Sequence, residues 1–230
     1  MSRVRLGLLI GAVVSAALIG WRTYGVRPPT PTPTLPSVAA SATAASGATA
    51  EDRAAVSAWA SRFLAKTRTK DPEFYGDLFA TPTAIADIRE ILADPTPLLA
   101  VQRGDIESDL LPPEIGERGS LLTLLDAVLL HPRAPADVRG AAVEALAAVV
   151  SAPAPALPSA DALLILVGEK AAALASLARA DGPDAARSYH AIADPSLRLL
   201  VRVETKRTLG GRGLSTEVVR RVLRDLEQGA

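Results

Sequence analysis

The stretch "RPPTPTPTLP", residues 27–36, divides this chain before any other feature is considered. Proline locks φ and carries no amide hydrogen, so a run alternating with threonine enters neither a helix interior nor a central strand. It extends as polyproline II. At ~3.1 Å per residue those ten residues reach about 30 Å. The next fourteen, "SVAASATAASGATA", are too poor in bulky apolar groups to bury a core. Structure is therefore expected in two separate pieces: residues 1–24 before a disordered Pro/Thr/Ala/Ser-rich stalk at 25–50, and residues 51–230 after it.

The first piece reads "MSRVRLGLLIGAVVSAALIGWRTYG". Arg3 and Arg5 precede an uncharged apolar run, which Trp21, Arg22 and Tyr24 close. Sixteen helical residues, 6–21, reach ~24 Å, short of a hydrocarbon core of about 30 Å. Arg5 and Arg22 make up the difference by snorkelling, and Trp21 and Tyr24 fall at the level of an aromatic belt. The segment is expected to be a signal-anchor, with residues 6–21 in the bilayer. The alternative is a cleaved signal peptide, cut at the small residues Ser15 and Ala17 or near Ala40 and Ala42. The balance of Arg3 and Arg5 against Arg22 and Arg27, with the stalk behind them, favours a single-pass inner-membrane protein. Its N-terminus is cytoplasmic and its folded part periplasmic. The reverse topology stays open, and in it the Pro/Thr stretch would be a peptide ligand for an SH3-type module.

The second piece is long enough for one sizeable core. Aromatic residues are only 3% of the chain, period-two runs of β-branched residues are scarce, and alanine and leucine supply most of the apolar mass. An all-α domain follows, with eight or nine antiparallel helices. The clearest are "TAEDRAAVSAWASRFLAKT", "TPTAIADIREILADP", "SLLTLLDAVLLH" with Ser120 as N-cap, "PADVRGAAVEALAAVV", "SADALLILVGEKAAALASLARA", "DAARSYHAIA", "DPSLRLLVRVETKRTLGG" and "STEVVRRVLRDLEQG". In the seventh, Asp194 is the N-cap, Pro195 the first helical residue and Gly210 the C-terminal cap. "PLLAVQRGDIESDLL" is a weaker helix broken at Gly104, and "PPEIGERG" (residues 112–119) is expected to be a loop.

"VRGAAVEALA" (Val138–Ala147) aligns with "VRVETKRTLG" (Val201–Gly210), 63 residues further on. Pro135, Asp137, Val138, Arg139, Ala142 and Leu146 correspond to Asp194, Pro195, Val201, Arg202 and Leu209 in capping and apolar positions. The pattern resembles the second helix of HEAT-type repeats, over about half of the folded part. It implies a solenoid of helical hairpins, with an irregular bundle as the alternative. HEAT units recur at about 40 residues, so the longer offset implies an insertion or an intervening degenerate unit.

Chemistry is sparse. Cysteine is absent and histidine occurs twice, at His131 and His190. That excludes disulfides, thiolate metal sites and a cysteine nucleophile. No cofactor is expected. "GDIESDLL" sets Asp105, Glu107 and Asp109 at alternate positions, but Leu110 stands where a calcium loop needs its glycine and Gly116 where it needs its closing glutamate. A carboxylate-dependent envelope enzyme built on those three acids is the alternative function. "LGGRGLST" puts three glycines and Arg212 before a helix, which is either an anion site or a glycine-capped turn.

Net charge is zero, yet residues 51–110 hold seven cations against eleven acids and residues 194–230 hold eight against five. Arg198, Arg202 and Lys206 lie at i, i+4 and i+8 on one helix, and Arg207, Arg212, Arg220, Arg221 and Arg224 follow. The expected function is a non-enzymatic, membrane-anchored, extracytoplasmic adaptor in an envelope complex. Those eight cations would contact an acidic protein partner, or anionic headgroups, and not nucleic acid.

Overall fold

The computed structural model describes residues 82–180 and 183–228, with Ala54 and Ala58 also helical. The anchor, the stalk and the rest of the 49–67 helix lie outside the described residues. Among those described there is no strand, so the all-α expectation holds. No helix there is long and apolar enough to cross a membrane.

The helices in chain order are α1 (Pro82–Ala93), α2 (Thr96–Ala100), α3 (Asp105–Ser108), α4 (Pro113–Leu130) and α5 (Ala136–Ser151). They continue with α6 (Ala160–Arg179), α7 (Asp184–His190), α8 (Pro195–Gly211) and α9 (Thr216–Gln228). α6 is the centre. From Asp161 to Ala178 none of its residues is exposed, and Ala162, Ala171, Ala173 and Ala175 are fully buried. A helix apolar on every side belongs inside a core, and methyl-sized side chains let neighbours close on it from several directions. α2, α4, α5, α7 and α8 all pack on it.

The helices of seven or more residues have their main contacts one or two such helices away along the chain. α1 meets α4 and α5, α4 meets α5 and α6, α5 meets α6 and α7, α6 meets α7 and α8, and α9 meets α7 and α8. One continuous core runs from Ile85 and Ile88 through Leu125, Leu146 and Leu174 to Val201 and Leu223. A satellite cluster of Leu98, Val101, Ile115, Ala162 and Leu166 secures α2. The 101–106 turn is tied to the start of α6. Ser159 Oγ donates to the Val101 carbonyl, and Asp161 accepts from the Gly104 and Ile106 amides.

Two local expectations need correction. Residues 113–119 are the first two turns of α4, not a loop. Buried Ile115, Arg118, Leu122, Leu125 and Leu129 continue one i, i+3, i+7 stripe along the helix, and that burial outweighs about 1 kcal/mol for each of Gly116 and Gly119. Ser120 is therefore interior and donates back to the Gly116 carbonyl. The glycine that stops α8 is Gly213, at φ +80°, not Gly210. Gly213 N–H bonds Gly210 O and Leu214 N–H bonds Leu209 O, the paired closure of a Schellman motif. Asp194 caps α8 as expected, accepting from the Ser196 and Leu197 amides.

A cation-capped scaffold and a candidate interaction surface

The last four carbonyls of a helix have no partner within it, and they carry the negative end of its dipole. Twice in this fold a cation from the next long helix reaches those carbonyls, and twice more it reaches carbonyls of the connector just beyond a helix end. Arg118 of α4 donates to the carbonyls of Ile91, Leu92 and Asp94 at the end of α1. Arg139 of α5 reaches His131 O and Ala134 O after α4. Lys170 of α6 holds the carbonyls of Val149, Val150 and Ala152 at 2.7–2.8 Å, closing α5. Arg198 of α8 donates to Ile192 O after α7, at 3.0 Å.

The first and third of these meet on α6. Arg118 also grips Glu169 with Nε to Oε1 at 2.7 Å and Nη2 to Oε2 at 2.8 Å, both residues being buried. Lys170 is the next residue and is fully buried. Burial pushes its ammonium down to about 8, against the opposing pull of Glu169. None of the three was expected from sequence. The available signal was the charged pair "EK" in the middle of an otherwise apolar helix.

This scaffold uses up part of the expected basic face. At 3.6 residues per turn, a row spaced by four turns about 40° per step. Arg198 therefore starts at the edge of the buried stripe Leu197–Val201–Thr205–Leu209, while Lys206 ends in solvent. Between them, Arg202 Nε lies 2.7 Å from Glu227 Oε1 of α9, an ion pair in which Nε–H is not aimed along a hydrogen bond. Arg207 pairs with Glu204 at 3.4 Å, where burial raises the carboxyl and Arg207 opposes it. Arg212 reaches Asp126 at 3.0 Å and Ser176 Oγ at 3.3 Å, and Arg179 joins the same Asp126. It thus ties the end of α8 to α4 and α6, and the turn is a glycine cap with its arginine already engaged. Arg220 pairs with Glu217 within α9. Lys206, Arg221 and Arg224 are exposed, with no ion pair among the described residues.

On the same helix as Lys206 lies an apolar stripe not anticipated from the sequence. Of the large apolar side chains exposed among the described residues, Leu199 (57%), Leu200 (45%) and Val203 (57%) all belong to α8. Singly such exposure is ordinary, but three within two turns of one helix form a patch.

The remaining candidates are quieter. His131 ends α4, its Nδ1 accepting from the Arg133 amide, and burial with Arg133 and Arg139 lowers its pKa. His190 meets Tyr189 edge-on at 5.4 Å. Tyr189 itself is buried under Arg198, Arg202 and Glu227, and burial raises its pKa. Asp105 accepts from the Gln102 amide of its own turn, while Glu107 and Asp109 face solvent. No group of three His, Cys, Asp or Glu among the described residues is placed to hold a metal ion. The chain matches no known family model, and neither a curated protein nor a solved structure is significantly similar to it.

Proposed function

We propose that this chain is a membrane-anchored, extracytoplasmic helical adaptor that binds other proteins of an envelope complex. Residues 1–24 hold it in the inner membrane, residues 25–50 hold the helical part away from the bilayer, and that part stacks in a HEAT-like manner. The stacking reading draws support from the packing of long helices on their first and second neighbours. It also draws support from the burial of Val138, Ala142, Leu146, Val201 and Leu209, the apolar residues behind the HEAT resemblance.

The observation that carries the adaptor reading is the outward surface of α8 and α9. There Leu199, Leu200 and Val203 stand in solvent on the helix that carries exposed Lys206, with exposed Arg221 and Arg224 on the helix packed beside it. An apolar patch rimmed by unpaired charge is the composition of a protein-docking surface. Purifying the full-length chain from detergent-solubilised membranes tests this. A protein partner in stoichiometric amount is expected, and a chain that emerges alone would overturn the reading.

A further inference from the structure

We infer that the outward face of α8 docks an acidic amphipathic helix of a partner protein, with its apolar side on Leu199, Leu200 and Val203 and its carboxylates over Lys206 and Arg224. The inference rests on the adaptor reading and names the chemistry of what is bound.

The geometry follows from the helix wheel. Placing Val201, at the centre of the buried stripe, at zero, Lys206, Leu199, Val203 and Leu200 span an arc of about 120° on the opposite side. Leu199, Leu200 and Val203 repeat at i, i+1 and i+4, so their ridge runs along α8. A second helix laid on it meets them with the i, i+3, i+4, i+7 side of its own surface.

Charge selects among the possible occupants. The exposed and half-exposed residues of that arc are Ser196, Leu199, Leu200, Val203, Lys206, Arg207 and Gly210, and none is acidic. Glu204 is part-buried and already faces Arg207. A second copy offering this same face would bring no counter-charge for Lys206, so face-to-face self-association is disfavoured. On α9, Arg224 stands one turn before Glu227, which pairs with Arg202; on α8, Lys206 stands one turn after Arg202. Both cations thus flank the same ion pair on one border of the apolar ridge. The neighbouring acids Glu217 and Glu227 are held by Arg220 and Arg202. Asp225, exposed on α9 next to Arg224, lies about 100° round the helix from it and toward Arg221. The border therefore offers a surplus of positive charge, and the complementary ligand is an acidic one.

The test places a photo-crosslinking amino acid at residue 203 of the full-length protein in its own membranes and maps the product by mass spectrometry. The expected product joins residue 203 to one segment of another protein. That segment carries apolar residues at helical spacing with Asp or Glu alongside. Lys206→Glu and Arg224→Glu each lower the yield on the order of tenfold, and added salt lowers it in parallel. Both cations are exposed and unpaired among the described residues, so an unchanged melting temperature shows that the variants are folded. Lys206→Gln, expected to give a smaller loss, separates lost attraction from new repulsion. Several results would overturn the inference: a cross-link to residues 51–81 of the same chain, to a second copy, to lipid or to an acid-poor segment, no cross-link at all, or a yield indifferent to either charge reversal. If a stoichiometric partner co-purifies but residue 203 never touches it, the adaptor reading stands and this docking face falls. If no partner co-purifies, both fall.

Discussion

Replacing Arg118 with methionine should be among the most damaging single changes in this domain. The guanidinium makes five hydrogen bonds, two to the Glu169 carboxylate and three to the carbonyls that end α1, from a position that is 3% exposed. Its loss strands a carboxylate that is itself only 7% exposed. Removing one partner of a buried pair costs about 3–5 kcal/mol, against a total domain stability of about 5–15 kcal/mol. Arg118→Met belongs at the upper end of that range because it also leaves three carbonyls without their donor. Glu169→Leu belongs at the lower end, since Arg118 keeps its three bonds to α1. The double variant leaves no charge uncompensated and should be more stable than Arg118→Met alone by about 2 kcal/mol. Urea denaturation followed by circular dichroism at 222 nm measures all three. A double variant destabilised by the sum of the two singles, or single losses within about 1 kcal/mol of zero, would refute a structural ion pair that holds α1, α4 and α6 together.

Lys170 gives a pH signature. Its folded pKa is lowered from 10.5 to about 8, so between those values the unfolded chain binds more protons than the folded one. Stability should then rise with pH across that window, by up to about 3 kcal/mol, and the gain disappears as pH falls through 8. The difference in urea stability between wild type and Lys170→Met, followed from pH 7 to 10.5, should grow in favour of wild type. A flat or falling difference would mean that the three carbonyls stabilise the ammonium more than burial penalises it. Topology can be read because the chain contains no cysteine. Ala154→Cys, in the exposed connector after α5, should react in intact cells with a maleimide that does not cross the inner membrane, and labelling only after lysis would place the domain in the cytoplasm.

The helices were legible wherever apolar spacing and end signals agreed. Ile85, Ile88 and Leu92 sit in the core as their spacing requires, and Asp194 followed by Pro195 caps α8. Local signals failed where a tertiary contact outweighs them. Two prolines and two glycines mark residues 112–119 as a loop, yet Ile115 and Arg118 bury themselves and carry α4 through it. Gly210 and Gly213 are equivalent candidates for a cap until the chain shows which one adopts positive φ.

The charge pattern was legible only in part, for a different reason. Spacing by four residues identifies a common helix face, but it does not say where that face points. Arg198 and Arg202 are half-buried and serve the packing of α7 and α9, and of the three only Lys206 is exposed and outside the scaffold's bonds. Leucines in an alanine-leucine sequence carry no mark that separates a buried one such as Leu197 from an exposed one such as Leu199. That distinction exists only once the neighbouring helices are in place.

The most direct measurement is co-purification from membranes of wild type beside the variant Lys206→Glu/Arg221→Glu/Arg224→Glu, with melting curves for both. These three cations take no part in the scaffold's ion pairs, so the two proteins should melt together while the variant loses the partner that wild type retains in stoichiometric amount. A folded variant that keeps the partner in full would contradict the assignment of the α8–α9 surface as the one this protein works with.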